Sequence, residues 1–533
     1  MTAPQLPTRP DLGQLKRQAK ELLAASRAGD AAALARFRVL PAFAEAPEHR
    51  LRSAQLALHD AQSAIARELG FRSWNALRER VEELTLAFAE AAEHFIDAAT
   101  EGRADRAARL LALHPGISDA NLWTALVAGN AARIESALGA NPELAMQPGG
   151  PRNWEPLLYI CHSALHGIAE RDESLAAIAR RLIELGADPN ARFPWLHHGV
   201  RRPVLWGATR VTRSLPLARA LLELGASPDD GVTLTLAASA GDTSTLELLR
   251  EFGAKTDHPW ATDGSTPLYA ILCFGGHLTG AKWLATHGAN PDIVFPATGE
   301  TPLHAAARTG DAELVELLVA HGANVARRNL AGRTPFAEAE LVNNRAVAEW
   351  LLAHGSTDEM APVDRLVAAC SRGDKPAAMA LLAADPVLPS QYTEGHYAAL
   401  YLAAERADLA ALDALLSAGF NPNHGDESIG MTALHKAAMA GKVESVRLLL
   451  AHGGSVTQQD REFHATALIC AAEGARSRPS ADPAAGTDYH AVGQLLLEAG
   501  SPTVWEGGAE PSEGIREIVE EWGVESRRLK AEG

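Results

Sequence analysis

A repeat of about 33 residues most constrains how this chain can fold. The segments GETPLHAAARTGDAELVELLVAHGA (299–323) and GMTALHKAAMAGKVESVRLLLAHGG (430–454) are close copies of each other. The threonine that opens the unit recurs at Thr266, Thr301, Thr334, Thr432 and Thr466, and the glycine that closes it recurs at Gly253, Gly288, Gly322, Gly355, Gly419 and Gly453. Two independent markers thus keep one spacing, which predicts an array of similar structural units.

The first half of each unit has the pattern of a short helix. Pro302 follows the opening threonine, and proline is well placed in the first turn of a helix because it has no N–H to leave unpaired. Leu303, Ala306 and Ala307 then form a narrow apolar face on that helix. Because these side chains are small, the sequence predicts that neighbouring first helices approach closely.

The second half of the unit predicts another helix. Leu314, Val315, Leu317 and Leu318 follow at helical spacing, and the helix is expected to end at Gly322, which can adopt a left-handed cap. One such helix pair cannot bury its apolar surface alone, so each pair must stack on its neighbours.

These segments resemble a known repeat. TPLHAAARTG (301–310) and LLVAHGAN (317–324) are similar to the ankyrin repeat. The resemblance implies an all-α solenoid of about twelve helix–loop–helix repeats joined by β-hairpin-like fingers that project at right angles. It covers about residues 91–505, with the strongest copies at 264–357 and 430–457, degenerate ones at 202–229, 231–257 and 396–423, and weaker ones at 91–147, 153–192 and 362–388.

Interruptions in the repeat predict the domain boundaries. The finger after Gly355 is short, so residues 356–363 are expected to form a seam, and the Pro- and Ala-rich insertion 475–488 is expected to be a mobile surface loop. The predicted parts are a helical N-terminal leader (1–88), a first block of repeats (91–355), a second block (362–505) and a C-terminal capping helix (510–533).

The leader contains no TPLH unit in residues 9–85, although residues 20–37 resemble the degenerate repeat at 364–381 in spacing. It resembles the helical leader that often precedes ankyrin repeats in bacterial proteins. Its segment 61–81 is also similar to a helix-turn-helix broken at Gly70, in which Arg72, Arg78 and Arg80 would reach DNA phosphates. A DNA-associated regulator is therefore the alternative to a capping and docking role.

The charge distribution weighs against that alternative. Residues 1–85 carry 13 Lys and Arg against 10 Asp and Glu, a net charge of +3, while the rest carries 36 against 56, a net charge of −20. Glu79, Glu82 and Glu83 would also lie close to the phosphates. An acidic body disfavours nucleic acid or anionic membranes along the array, so nucleic acid is considered only for the leader.

The sequence also predicts a cytoplasmic location. No basic segment followed by an apolar run opens the chain, and no stretch has the roughly 20 apolar residues that span a membrane. Cys161, Cys273, Cys370 and Cys470 lie far apart, within predicted first helices, where core packing is a better explanation than a reactive thiol or a zinc site.

The histidines have positions that the repeat explains. His304 and His435 occupy the fourth position of the TPLH segment, where the resemblance implies that the imidazole braces the adjoining finger. A second column, placed to interact with the end of the second helix, comprises His287, His321, His354 and His452. The adjacent His197 and His198 make only a weak metal signal, because no further ligand is suitably spaced.

No motif indicates catalysis. A nucleophile elbow, a P-loop, an HExxH segment and a dinucleotide-binding glycine pattern are all missing from the sequence. The chain is therefore interpreted as a non-catalytic binding scaffold, without cofactor or metal, for an unidentified protein.

The ankyrin resemblance implies that partners dock on the fingertips and on the first-helix surface. Aromatic and arginine side chains dominate interface energies, and Trp260 and Phe295 are prominent because each is apolar in a hydrophilic finger. A partner is expected across residues 254–333, although packing on the next finger would explain both aromatic residues equally well. The predicted partner-binding residues are Trp195, His197, Trp260, Phe295, Arg327, Arg328, His424 and Gln458.

Overall fold

A computed structural model describes most of the chain. The described residues are 6–7, 9–40, 43–44, 46–54, 56–165, 169–194, 201–260, 263–273, 277–477 and 487–503, together with Ile515, Ile518, Val519 and Trp522. The chain divides into two compact units. One comprises Leu86–Ala339 and Asn344–Asp358, and the other comprises Met1–Thr85, Glu340–Asn343 and Glu359–Gly533.

The N-terminal segment forms helices around a core of its own. They are α1 (Leu12–Arg27), α2 (Ala31–Arg36), α3 (Glu48–Ser53), α4 (Leu58–Glu68) and α5 (Trp74–Thr85). The carboxylates of Asp11 and Asp30 cap the first two helices by accepting backbone N–H groups. Helix α4 ends just before Gly70, as the sequence predicts, and Phe37, Ala61 and Leu77 are fully buried in the core.

The array begins with the next helix. Its first part contains α6 (Phe88–Thr100), α7 (Ala104–Leu113), α8 (Ile117–Ala120), α9 (Leu122–Ala128), α10 (Ala131–Ala140), α11 (Pro156–Cys161), α12 (Ala169–Glu184), α13 (Val204–Trp206), α14 (Leu215–Glu223), α15 (Thr233–Ala240) and α16 (Thr243–Glu251). A π-helical turn, Gly207–Val211, extends α13. The array continues with α17 (Pro267–Cys273), α18 (Leu278–Thr286), α19 (Pro302–Thr309), α20 (Ala312–Ala320), α21 (Pro335–Leu341) and α22 (Arg345–Ala353).

The helices that follow keep the same alternation. They are α23 (Pro362–Ser371), α24 (Lys375–Ala384), α25 (Glu394–Arg406), α26 (Leu409–Ser417), α27 (Ala433–Met439), α28 (Val443–Ala451), α29 (Ala467–Ser477) and α30 (Tyr489–Glu498). With α8 set aside, helices α6 to α30 form twelve successive pairs, as many as the sequence predicts. Residues 478–486 of the predicted insertion loop, and most of the predicted capping helix, lie outside the described residues.

Packing within the unit follows the predicted faces with one exception. Leu303, Ala306 and Ala307 of α19 are fully buried, and so are Leu314 and Leu318 of α20. Leu317, which shares the apolar spacing of these residues, is only partly buried. The buried stripe of α20 runs through positions 314, 315 and 318, and residue 317 lies at its edge.

The closing glycines have the backbone that the sequence predicts. Gly253, Gly288, Gly322, Gly355, Gly419 and Gly453 all have φ between 84° and 101°. No atom lies within 4 Å of where a Cβ would stand at Gly322, so the left-handed conformation, rather than lack of space, requires glycine there.

Only one finger in the described part of the chain forms a regular hairpin. Strands β1 (Arg192–Pro194) and β2 (Arg201–Pro203) pair antiparallel, with Phe193 opposite Arg202. Other fingers are closed by a few backbone hydrogen bonds without a strand, such as Phe295 N–H to the Glu300 carbonyl at 2.7 Å and Gly299 N–H to the Phe295 carbonyl at 2.8 Å.

Candidate functional site

Five fingers close on an equivalent residue. In three of them this residue is Asn329, Asp426 or Asp460, whose side chain accepts backbone N–H groups within its own finger. Trp260 and Phe295 stand at the same position in their fingers, where their N–H groups donate to the carbonyls of Ser265 and Glu300. The two aromatic side chains therefore replace a turn-forming side chain, which explains why they interrupt a hydrophilic pattern.

Phe295 packs on the first helix before its own finger. Its ring stacks on Tyr269 with a centroid distance of 4.9 Å and an angle of 20° between the ring planes. The Tyr269 hydroxyl donates to Glu300 Oε2 at 2.7 Å. Phe295 is half-buried by this arrangement, so part of its ring is engaged within the array and part remains accessible.

Trp260 packs against a cation. The Arg202 guanidinium carbon lies 5.8 Å from the Trp260 ring centroid and 5.3 Å from that of Trp206, so the cation contacts both indole rings. Trp260 is half-buried, whereas Trp206 is buried.

The finger that follows that of Phe295 presents the most accessible side chains of the predicted set. Arg327 and Arg328 are both exposed, and Arg328 Nη1 donates to the Gly332 carbonyl at 2.7 Å. Leu330, which the sequence prediction missed, has 75% of its surface exposed. Its N–H donates to the Thr298 carbonyl at 2.8 Å, which joins this finger to the preceding one. The criterion that selected Trp260 and Phe295, an apolar residue in a hydrophilic finger, would also have found Leu330.

The other two described residues of the predicted set lie in the second unit. His424 stacks on Tyr397 at 3.7 Å, and its Nδ1 lies 2.7 Å from the Tyr401 hydroxyl. Burial lowers the pKa of His424. Gln458 Nε2 donates to the Asn423 carbonyl at 3.1 Å, so His424 and Gln458 belong to neighbouring, connected fingers. Trp195 and His197 lie outside the described residues.

Hydrogen bonds hold the bases of successive fingers in register. The Asn290 N–H donates to Asp257 at 2.9 Å, and the Asn324 N–H donates to Asp292 at 2.9 Å. Ser455 N–H donates in the same way to Asn423 at 2.7 Å. Because a side chain of each repeat accepts from the backbone of the next, the fingertip side chains are carried at fixed spacing.

A buried ionic cluster supports the fingers that carry Phe295 and Arg327. Arg308 donates to both carboxylate oxygens of Glu300 at 2.8 Å and to Glu338 at 3.0 Å. Burial alone would raise the pKa of Glu300, but the Arg308 guanidinium outweighs it and lowers that pKa to about 2. The two carboxylates hold the pKa of Arg308 well above its usual range, despite its burial. Glu300 and Arg308 therefore stay ionised and paired.

The histidines brace the fingers as the ankyrin resemblance implies. His304 Nε2 lies 3.1 Å from the Arg333 carbonyl, and His435 Nε2 lies 3.0 Å from the Ala465 carbonyl. Burial lowers the pKa of both. His396 occupies the same helical position but meets the Asp364 carboxylate at 2.8 Å instead.

Neither a disulfide nor a metal-binding cluster is found among the described residues. All four thiols are free; three are buried, and burial raises the pKa of Cys370 to about 12. Within the described ranges, no group of three or more His, Cys, Asp and Glu residues is arranged to hold a metal. The same residues include no helix that is both long enough and apolar enough to cross a membrane.

The leader uses one of its basic residues internally. Arg80 Nη1 donates to Glu83 Oε2 at 2.9 Å, and the Glu83 side chain is fully buried. Arg72 and Arg78 are exposed. Of the three arginines proposed to reach phosphates, Arg80 is thus already engaged, and the DNA-associated alternative stays a prediction.

Comparison with known proteins identifies the repeat. The family model for ankyrin repeats matches residues 271–361 and 396–479. Cyclin-dependent kinase 4 inhibitor B of Mus musculus is 34% identical over 138 residues, which is 26% of this chain and 99% of that relative. The chain belongs to the ankyrin-repeat family. The predicted ankyrin solenoid is therefore confirmed, whereas the bacterial type of its leader stays a prediction.

Other ankyrin-repeat proteins match over very different shares of their own length. The ankyrin repeat and KH domain-containing protein mask-1 of Caenorhabditis elegans is 31% identical over 242 residues, which is 45% of this chain but only 8% of mask-1. Among solved structures, the human ASB11 ankyrin repeat domain covers 45% of this chain and 100% of its own at 24% identity, with a TM-score of 0.33.

Proposed function

We propose that this ankyrin-repeat protein is a non-catalytic scaffold that holds another protein on its fingertips. The observation that carries the proposal is the finger around Leu330. This finger presents an apolar side chain with 75% of its surface exposed, beside the exposed cations Arg327 and Arg328. Arginine is enriched among the residues that dominate interface energies, and exposed apolar surface marks an interaction site where it is contiguous.

The neighbouring finger extends this surface. Leu330 N–H is hydrogen-bonded to Thr298, and Phe295 lies in the same finger as Thr298. The proposed surface therefore runs across the fingers of residues 254–333, with Trp260, Phe295, Arg327, Arg328 and Leu330 as its contacts. The relative from mouse is named as an inhibitor of a protein kinase, which supports a protein partner in general terms. A cytoplasmic location stays a prediction.

Quantitative affinity purification tests the proposal. Arg327→Glu combined with Leu330→Ser changes two exposed side chains and keeps the backbone hydrogen bond from residue 330 to Thr298, so the array should remain folded. Loss of two interface contacts worth more than 1 kcal/mol each should reduce recovery of the bound protein at least tenfold. The matched control is Glu316→Arg, a charge reversal at an exposed position of α20 in the preceding helix pair.

The outcome is decided by comparing the two variants. The proposal expects the finger variant to lose its specific protein partner and the α20 variant to keep it, with equal circular dichroism. Equal recovery by both variants would rule out the fingers of residues 254–333 as the binding surface.

A further inference from the structure

Arginines that are not ion-paired gather in one part of the first unit. Residues 189–222 contain six arginines and neither Asp nor Glu. Only Arg219 of the six forms an ion pair within the described residues, with Glu251 at 2.6 Å. Elsewhere in this unit pairing is common, as at Arg152, Arg180, Arg250 and Arg308. The five others, which form no ion pair among the described residues, are Arg192, Arg201, Arg202, Arg210 and Arg213; the Asp230 carboxylate acts electrostatically on Arg192 and Arg202.

Arg202 is the best-fixed of these cations. Its guanidinium lies between the rings of Trp206 and Trp260. Its Nε and Nη1 are shielded from solvent, yet they have no hydrogen-bond acceptor in the described part of the chain. Burial lowers the pKa of Arg202. The two rings therefore hold this cation in place, and these two donors are not presented to solvent.

Trp206 also lines a groove that contains two further arginines. The groove, of about 400 Å³, lies between the π-helical turn Gly207–Val211 and α15. Leu236, Ala237 and Ala240 of α15 contribute apolar surface, and Arg210 and Arg213 stand at its edge, both exposed. No described group accepts a hydrogen bond from the side chain of either arginine. We call this feature the arginine groove.

The nearby carboxylates are already engaged. Asp230 accepts hydrogen bonds from the N–H groups of Val232 and Thr233 and from the Thr233 hydroxyl. Asp242, which lines the groove, accepts from both the N–H and the hydroxyl of Thr245. Neither Asp230 nor Asp242 forms an ion pair with an arginine of the groove, so the groove keeps a positive charge beside an apolar floor.

We propose that the arginine groove binds an acidic peptide segment of a partner protein, a specificity that rests on the proposed scaffold function. Aspartate or glutamate side chains of the segment would accept from Arg210 and Arg213, and adjacent apolar side chains would lie on Trp206 and Leu236. A short segment fits a charge that is this local. A nucleic acid would need a basic face of much greater extent, whereas residues 86–533 carry a net charge of −20.

Panning of a phage-displayed library of random dodecapeptides on the immobilised full chain tests this specificity. We expect selected peptides to be enriched in Asp and Glu next to apolar residues. Binding of a fluorescein-labelled selected peptide, followed by anisotropy, should weaken at least tenfold in Arg210→Gln combined with Arg213→Gln. The matched control, Arg219→Gln with Arg250→Gln, removes two arginines that are ion-paired in the same unit and should leave affinity unchanged.

Three results would overturn the proposal. They are selection without acidic enrichment, equal affinity for the two double variants, and tighter binding of a fluorescein-labelled 20-base-pair duplex than of the selected peptide. The groove variants leave Arg327 and Leu330 intact. If the peptide assay fails while the affinity purification still recovers the partner in the predicted way, only the acidic specificity is rejected. Failure of the scaffold function would instead appear as equal recovery by the Arg327/Leu330 variant and its control.

Discussion

Replacement of Arg308 by methionine is expected to destabilise the repeats around it more than any replacement of an exposed arginine. The guanidinium makes two hydrogen bonds of 2.8 Å to Glu300 and one of 3.0 Å to Glu338. Only 10% of the Glu300 side chain is exposed, and none of the Glu338 side chain. Methionine fills similar volume but removes the cation that pairs with Glu300, whereas Glu338 keeps its ion pair with Arg333 at 3.5 Å.

The expected magnitude follows from burial. Removal of one partner from a buried ion pair costs about 3–5 kcal/mol, because the remaining charge is left desolvated and uncompensated. Arg345→Met is the matched control, since the Arg345–Glu349 pair has 78% and 64% of its side chains exposed. Exposed pairs contribute at most about 1 kcal/mol, so this control should change stability little.

Hydrogen exchange measured by mass spectrometry is the suitable assay, because repeat arrays open locally and a single unfolding midpoint would average over them. Peptides covering α19 and α21 should lose about 3–5 kcal/mol of opening free energy in Arg308→Met at pH 7. A loss below about 1 kcal/mol, no larger than that of an exposed pair, would refute the view that the Glu300–Arg308–Glu338 cluster depends on its cation.

Three further outcomes are expected at other positions of the array. Burial lowers the pKa of His162 to about 3, so below about pH 6.5 the unfolded chain binds a proton that the folded chain does not bind. The free energy of unfolding therefore decreases as the pH falls. His162→Phe should remove about 2 kcal/mol of that loss at pH 5, measured by urea titrations at pH 7.5 and 5. Gly322→Ala should cost about 1–2 kcal/mol by hydrogen exchange because φ is 97°, whereas Gly139→Ala in α10 should stabilise its helix; equal effects would contradict the conformational argument. Leu318→Ala should cost about 2–5 kcal/mol and Leu317→Ala clearly less, and the reverse order would show that the buried face of α20 is misassigned.

Much of the fold could be predicted because single residues of the repeat determine the local structure at their positions. Pro302 at a helix start, small residues such as Ala306 on the packed face and Gly322 at a helix end each have a local physical reason. The edge of a packed stripe does not: Leu317 has the same spacing and hydrophobicity as its neighbours, and only the position of the adjoining helices leaves it partly exposed.

The candidate surface was harder to predict, since exposure depends on neighbours distant in sequence. Trp260 and Phe295 were recognised as unusual, but their contacts with Arg202 and Tyr269 could not be read from the pattern. Leu330 carries a similar signal and is more exposed than either. The arginine groove was hidden because Trp206, Arg210 and Arg213 line one groove only through the π-helical turn.

Photo-crosslinking from a single finger tests the scaffold function most directly. p-Benzoylphenylalanine at position 327, on the exposed finger, is compared in the native cell with the same group at position 316, exposed on α20. The proposed function predicts a discrete protein adduct from position 327 that is missing from position 316. Adducts of equal yield and identity from both positions, or none from position 327, would contradict it.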